Sequence, residues 1–409
     1  MYLTVTQQIR HLSDSDCQTI RELCHYAKNL TNEAIYNVRQ VFQNEGKILK
    51  YADNYALLKN STNYKALNSN MAQQIIKEVD SSFKSFFGLL KLAKKNQYPF
   101  QACRLPCYLP KNGYSTLIIG FVRLNGNKLI LPFSNEFKKT HDSVEITIPP
   151  ILADRKVKEI KIIPKSHGKF FEIQYTYEVE CIERNLDKSH VLALDLGINN
   201  LVAAVSSDGK SFIIDGKRLK SVNQWFNREN ARLKAINDKQ HFGKHTTNRQ
   251  KAIARKRNNQ VNDYLNKTAR LVIDYCIENN IGTLVVGCHE ITPKSGDKSD
   301  NAKQNFVIIP LGKLRAKLEY LCKLNHIDFV KQEESYTSQA SFWDKDDISS
   351  QAYFSGQRLH RGLYQTADGQ QFNADINGAL NILRKSNVVS LETLYSRGAV
   401  DTPARIRVT

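Results

Sequence analysis

Hydrophobic residues recur at three- and four-residue spacings over residues 15–45 and again over 68–92, the pattern of helices that each bury one stripe. In the second stretch Ile75, Val79, Phe83 and Phe86 share a face suited to core packing. Residues 46–67, between the two, are polar and less regular. On either side of this helical block the pattern changes. Residues 3–6 alternate as a strand, and beyond Pro99 the runs 114–121, 128–132, 145–148, 157–163 and 170–179 read as strands separated by turn residues at 111–113, 125–127 and 167–169. A lone strand, a helical block and five further strands predict a β-barrel with a helical insertion.

A polar connector at 181–189 predicts a domain boundary. Past it, 191–194 is a short apolar run suited to a strand buried on both faces, and Gly197 relieves the turn that follows. Residues 201–205 and 212–214 continue as a meander through the Asp208-Gly209 turn. Then come a long helical region at 222–280, a buried strand at 281–287, an amphipathic helix at 311–326 and a strand at 327–330 running out to Ser338. A last helix at 373–383 packs through Ile376, Ala379, Leu380 and Leu383. Three strands, then helix, strand, helix, strand, is an RNase H-like α/β succession. Right-handed crossovers in it set the strands at Val285 and Phe329 parallel to the first. No internal repeat or low-complexity tract interrupts the chain.

Length and charge narrow the possible partners. A chain of 409 residues predicts two to three domains with ample core. Lys and Arg number 59 against 40 Asp and Glu, a formal charge of +19, which points to a polyanion: nucleic acid first, an acidic membrane surface second. The longest apolar runs, 117–122 and 284–288, are too short to span a bilayer, and residues 1–5 lack the layout of a signal peptide. An intracellular protein is expected, cytoplasmic and nucleoid-associated in a prokaryote, with no membrane partner. Eight cysteines are scattered without a Cys-x-x-Cys pair; Cys103 and Cys107 come nearest, and reduced thiols are expected. Between Asp238 and Asp263 no acid occurs, while Lys239, Lys244, Arg249, Lys251, Arg255, Lys256 and Arg257 accumulate; from Lys244 on, this run is expected to meet nucleic acid. Tyr114 and Arg123, on the basic, aromatic-bearing face of the early strands, are expected to do the same.

Cleaving a phosphodiester requires an activated water and a stabilised leaving oxygen, which two divalent ions can supply. Such ions take hard oxygen ligands, so carboxylates must converge from separate elements. Asp195 ends the first strand of the second half, and Asp375 stands near the start of the last helix. Taken alone, Asp-x-Gly after a strand also opens sugar-kinase and actin-like folds, and a third acid is less plain.

Three motifs in order carry a resemblance. Leu-Asp-Leu-Gly-Ile-Asn-Asn-Leu from 194, Glu-Ser-Tyr-Thr-Ser from 334 and Asn-Ala-Asp-Ile-Asn-Gly-Ala-Leu-Asn from 373 resemble the RuvC-type motifs of TnpB. These are transposon-encoded RNA-guided DNA endonucleases related to type V CRISPR effectors and Fanzor proteins. The resemblance spans nearly the whole chain. It implies an α/β plus β-barrel architecture: a wedge-type β-barrel (1–10 and 97–182) with an inserted helical recognition domain (11–96). A RuvC-like nuclease domain (183–334 and 373–390), an insertion (335–372) and a tail (391–409) follow. It implies a guide RNA and target double-stranded DNA as partners of a monomer carrying one RNA. It further implies two Mg²⁺ ions, replaceable by Mn²⁺, on Asp195, Glu334 and Asp375.

Two departures stand out. Many members carry a catalytic glutamate where this chain has Gly287, and the chain is similar to the subset in which a glutamate before Tyr-Thr-Ser takes over. That glutamate is Glu334, with Glu333 and Glu290 as the alternatives. The second departure is the missing zinc ribbon: residues 336–373 contain no cysteine, so no zinc is expected, and 355–372 read as a hairpin turning at Asp368-Gly369. Whether Arg358, His360 and Arg361 reach the substrate strand is open, and His360 reads as a surface histidine. A guided DNA-binding repressor without nuclease activity, or a protein-only transposase, are the alternative functions.

Overall fold

In the computed structural model the alternation at the start of the chain belongs to a longer strand, β1 (Tyr2–Ile9), whose eight residues pair antiparallel with a strand near residue 174. The structure describes residues 1–409 except 10–11, 242–245, 289–308, 351–352, 361, 396–399, 401 and 409. The chain divides into two compact units, Met1–Val179 and Glu180–Thr409. No helix among the described residues is long and apolar enough to cross a membrane.

In the first unit β1 is followed by the helices α1 (Asp14–Glu45), α2 (Tyr51–Leu58), α3 (Thr62–Ala66) and α4 (Ser69–Lys94). Ser13 caps α1 by accepting from the Asp16 amide, and Gly46 ends it at φ 67°, a left-handed conformation that glycine adopts without steric cost. The stripe on α4 buries Ile75, Val79 and Phe83 and leaves Phe86 half-buried. The irregular reading of 46–67 is corrected: α2 and α3 lie there, too short to show a period of their own but held by tertiary packing of Leu58 and Tyr64.

The strands that follow are β2 (Leu117–Ile119), β3 (Leu124–Asn125), β4 (Lys128–Ile130), β5 (Glu145–Thr147), β6 (Val157–Lys165) and β7 (Phe170–Glu178). They hydrogen-bond as two sheets, β1-β7-β6-β2 and β3-β4-β5, where a single barrel was expected. Four of the six are two or three residues long, and 3₁₀ turns at Phe137–Lys139 and Pro150–Leu152 interrupt the runs, so extended pairing stops early. Both sheets and the helices share one hydrophobic core, in which Ile20, Met71, Ile146, Ile162 and Tyr175 meet.

The second unit is built on a six-stranded sheet. Its strands are β8 (Asp187–Asp195), β9 (Asn200–Ser206), β10 (Ser211–Asp215), β11 (Ile281–Cys288), β12 (Asp328–Glu333) and β16 (Ala404–Ile406), in the order β12-β11-β8-β9-β10-β16. β8, β9 and β10 form the antiparallel meander; β11 joins β8 in parallel and β12 joins β11 in parallel, as crossover connections allow. The basic helical region is two helices, α5 (Lys217–His241) and α6 (Asn248–Glu278). With α7 (Leu311–Leu324), α6 covers one face of the sheet, where Leu192, Leu194, Leu284 and Val286 point. The alternate residues Val191, Ala193 and Val285 point to the other face, against α8 (Ala374–Ser386). A small sheet of β13 (Gln357–His360), β14 (Leu363–Gln365) and β15 (Gln371–Asn373) leads into α8. β16 is the unexpected element: a strand from the tail, pairing in parallel with β10.

Candidate active site

Asp195 is the last residue of β8, and the backbone of α8 passes close beside it. A Cβ at Gly378 would stand 2.7 Å from Asp195 Oδ2, so the bare turn of α8 is what admits the carboxylate. Asp375 lies in the first turn of α8, where Asn373 caps the helix by accepting from the amides of Asp375 and Ile376 and the helix dipole favours an acid. Its Oδ2 accepts from Asn200 Nδ2 at 2.5 Å and its Oδ1 from Arg358 Nη2 at 3.2 Å.

Of the three possible third acids, Glu333 and Glu334 separate by placement. Glu290 is outside the described residues. Glu333 Oε2 accepts from Lys385 Nζ at 2.6 Å, and its Oε1 accepts from the Ser335 amide and hydroxyl. Burial works to raise this carboxyl, but Ser335 and Lys385 draw it down to about 2, so Glu333 anchors the chain. Glu334 points the other way, as the next residue of an extended chain must. Its Oε2 lies 2.5 Å from where a Cβ on Gly287 would stand, which means that it fills the space a side chain at 287 would take. Burial, then Glu334 and Asp375, push the Asp195 carboxyl from 3.8 up to about 7, against the pull of Arg358. Acids from β8, from the end of β12 and from α8 therefore act on one another.

Asp195 and Asp375 lie at a cleft of about 620 Å³ whose walls also include the 197–200 turn, Lys217, Arg358, His360 and Arg405. Among the described residues no group of three His, Cys, Asp or Glu side chains stands close enough to hold a metal ion as it is, and both oxygens of Asp375 are committed to Asn200 and Arg358. The donor chemistry nonetheless fits a hard divalent cation: all the donors are carboxylate oxygens, and their mutual repulsion at Asp195 is relieved by positive charge.

α8 also fixes the segment that carries Glu334. Asn377, Asn381 and Lys385 follow one another at four-residue spacing. Asn377 Nδ2 donates to Ala340 O, Asn381 Nδ2 to Thr337 O and Ala340 O, and Lys385 Nζ to Ser335 O. The insertion beyond is organised by the buried Asp346. Its carboxylate accepts from the Ser341 amide at 2.8 Å and from the Ser355 amide and hydroxyl at 3.0 and 2.6 Å. Trp343 stacks on Phe372 at 4.9 Å nearby. Asp346→Ala leaves these donors unpaired, and urea unfolding should show a loss of about 2–4 kcal/mol. A loss below about 0.5 kcal/mol, the level of an ordinary surface change, would show that the carboxylate does not hold the insertion.

The residues expected to meet nucleic acid fare differently. Lys244 and Arg361 fall outside the described residues. Arg249 and Lys256 are exposed, and Lys251 and Arg255 are half-buried. Arg257 is drawn into the packing of α5 on α6: its Nε donates to Asn223 Oδ1 at 2.7 Å and its guanidinium lies over Phe226 at 5.8 Å, so its charge serves the helix pair. Tyr114 is half-buried, edge-on to His25 at 6.3 Å and packed against the first unit's core. Arg123 is exposed, over the exposed Phe121 ring at 5.2 Å. His360 is exposed. Asn200, Lys217, Lys385 and Arg405 were not anticipated. Asn200 stands inside the first motif, whereas nothing local in the sequence marks Arg405.

Residues 174–290 match the family model OrfB_IS605, described as a probable transposase, and residues 312–382 match the Cas12f1-like TNB domain. The chain is 24% identical over 412 residues to TnpB-like protein ORF457 of Acidianus two-tailed virus, covering 90% of this chain and 83% of that one. It is 27% identical over 237 residues to the CRISPR-associated endodeoxyribonuclease Cas12f2 of a Micrarchaeota archaeon, covering 54% of this chain and 41% of that one. Its fold is similar to a protein chain in the cryo-EM structure of a Cas12f1-sgRNA-target DNA complex. There the TM-score is 0.62 and the identity 15%, covering 90% of this chain and 83% of that one.

Proposed function

This chain is a TnpB-family protein, and from that premise we propose that it is an RNA-guided, divalent-metal-dependent DNA endonuclease that cuts target DNA beside a short recognition motif. In this reading the first unit and the basic helices hold a guide RNA, and base pairing supplies most of the sequence specificity. The observation that carries the reading is the crowding of Asp195 by Glu334 and Asp375, with Asp195 and Asp375 lining one cleft.

Asp195, Glu334 and Asp375 would hold Mg²⁺, with Mn²⁺ able to replace it; when bound, such ions activate water and stabilise the leaving oxygen. The chain's own residues prepare for that role. Gly287 and Gly378 keep two places clear so that carboxylates from neighbouring elements fill them. Asn200 and Arg358 orient Asp375, and Lys385 and Ser335 hold Glu333 so that Glu334 faces inward. The repressor alternative loses support from the same observation, because a protein that only binds has no use for half-buried acids that repel one another. A monomer with one RNA is the assembly proposed.

The test is to purify the full chain with its bound nucleic acid, sequence the RNA, and offer duplex DNA that matches it next to randomised flanking sequence. Cutting of matched DNA in Mg²⁺ and none in EDTA is the expected result. Sequence-specific DNA binding without RNA would instead support the protein-only transposase, and matched binding without cutting would support the repressor.

A further inference from the structure

The C-terminal strand carries a cation to the cleft. Register fixes where it lands: Asp195 on β8 is opposite Ala203 on β9, Ala203 is opposite Ile213 on β10, and Ile213 is opposite Arg405 on β16. Residues opposite one another share a face of the sheet, so Asp195 and Arg405 end one lateral row on the side where α8 packs. Ile406, the next residue along, packs into the core on the other face, as alternation demands. Three strand spacings separate the ends of the row by about 14 Å, and Ala203, next to Asp195 in the row, lines the same cleft as both ends. The strand is held in place from both sides. Val400 and Val408 are buried, Ser211 Oγ donates to Val400 O at 2.7 Å, and Arg218 Nη1 donates to Val408 O at 3.1 Å.

An acidic floor repels a polyanion, so a strand that enters this cleft needs positive charge around it. Arg358 is spent on Asp375. Lys217, at the start of α5, and Arg405 line the same cleft, and among the described residues neither has an ion-pair or hydrogen-bond partner. We propose that Arg405, seconded by Lys217, grips a backbone phosphate of the DNA strand in the cleft, a few nucleotides from the bond that is cut. This rests on the nuclease reading above. Because the row holds Arg405 well away from Asp195, it is a binding residue, and its loss should act on KM and leave kcat nearly alone.

The experiment compares wild type, Arg405→Gln, Lys217→Gln and Arg405→Lys as full chains with their bound RNA. Binding of a short single-stranded DNA is measured by fluorescence anisotropy from about 50 to about 200 mM salt, with an RNA of the same sequence as a second arm. Arg405→Gln should weaken DNA binding about fivefold to tenfold at low salt and lower the log–log salt slope by about 0.7, the value for one phosphate contact on a single strand. In cleavage, KM should rise by a similar factor with kcat within about twofold, and Arg405→Lys should restore most of the loss, since a point charge still serves a phosphate. Unchanged affinity and slope overturn the proposal, as does a lysine variant no better than glutamine, which marks a merely structural role. Equal losses for RNA and DNA overturn the assignment to the DNA strand. If wild type does not cut, the nuclease reading fails, while the binding arm still judges Arg405.

Discussion

Asp195→Asn is expected to reduce DNA cleavage by about 10³-fold or more, the scale of losing several kcal/mol of transition-state stabilisation, while target binding stays intact. On the proposed function binding should survive, because base pairing with a guide would hold the DNA, whereas cutting would need the charge at the end of β8. The same substitution should stabilise the free protein at alkaline pH. In the folded chain burial, Glu334 and Asp375 push the Asp195 carboxyl up to about 7, well above its ordinary value of 3.8. Between those two pH values the folded state binds more protons than the unfolded state at this group, so its contribution to stability falls as pH rises. The penalty is complete above about pH 7 and absent near the ordinary carboxylate range. Asparagine removes it. Without metal, the variant should therefore melt above wild type at about pH 8, with the gap closing toward about pH 4. A divalent ion competes with the proton, so Mg²⁺ should raise the wild-type melting temperature more at pH 8 than at pH 6 and leave the variant nearly unmoved. Undiminished cutting by the variant would refute the role given to Asp195.

Glu334→Gln should cost about 10²-fold or more in cutting, and Glu333→Gln far less, although the two are adjacent. Glu333 is committed to Lys385 and Ser335, so its loss loosens an anchor but removes no charge from the cleft. Gly287→Ala probes the same point from the other side. A Cβ there would meet Glu334 Oε2 at 2.5 Å and Ile382 Cδ1 at 2.7 Å, and no positive φ at Gly287 adds backbone strain. Crowding alone should then displace Glu334, with at least about a tenfold loss of activity that urea unfolding shows to exceed any loss of stability. Wild-type cutting by Gly287→Ala would mean that the space over residue 287 is not where a working carboxylate sits.

Much of the second unit is legible from local pattern. The apolar run before Asp195, the meander after it and the amphipathic helices reveal themselves because each element's own periodicity matches the faces it buries. The Asn373 cap marks where α8 begins and so puts Asp375 in its first turn. In the first unit the same reasoning missed α2 and α3 and expected a barrel where two sheets form. Elements of only a few residues carry too little pattern to identify themselves, and packing decides their structure.

By itself, then, the sequence determined most strands and helices of the second unit, the basic balance of charge, and where Asp195 and Asp375 stand on their elements, because these follow from neighbours a few residues apart. Tertiary structure alone decided the rest. Glu333 and Glu334 differ only in the face of the chain they occupy, and which face meets Asp195 depends on β12 lying parallel to β11 with Gly287 beside it. Arg257 and Arg405 are both arginines in basic stretches, yet helix packing consumes one and strand register sets the other in the cleft. Spacing along the chain sets the kind of element, but the direction and company of a side chain come from long-range pairing that short-range pattern does not encode.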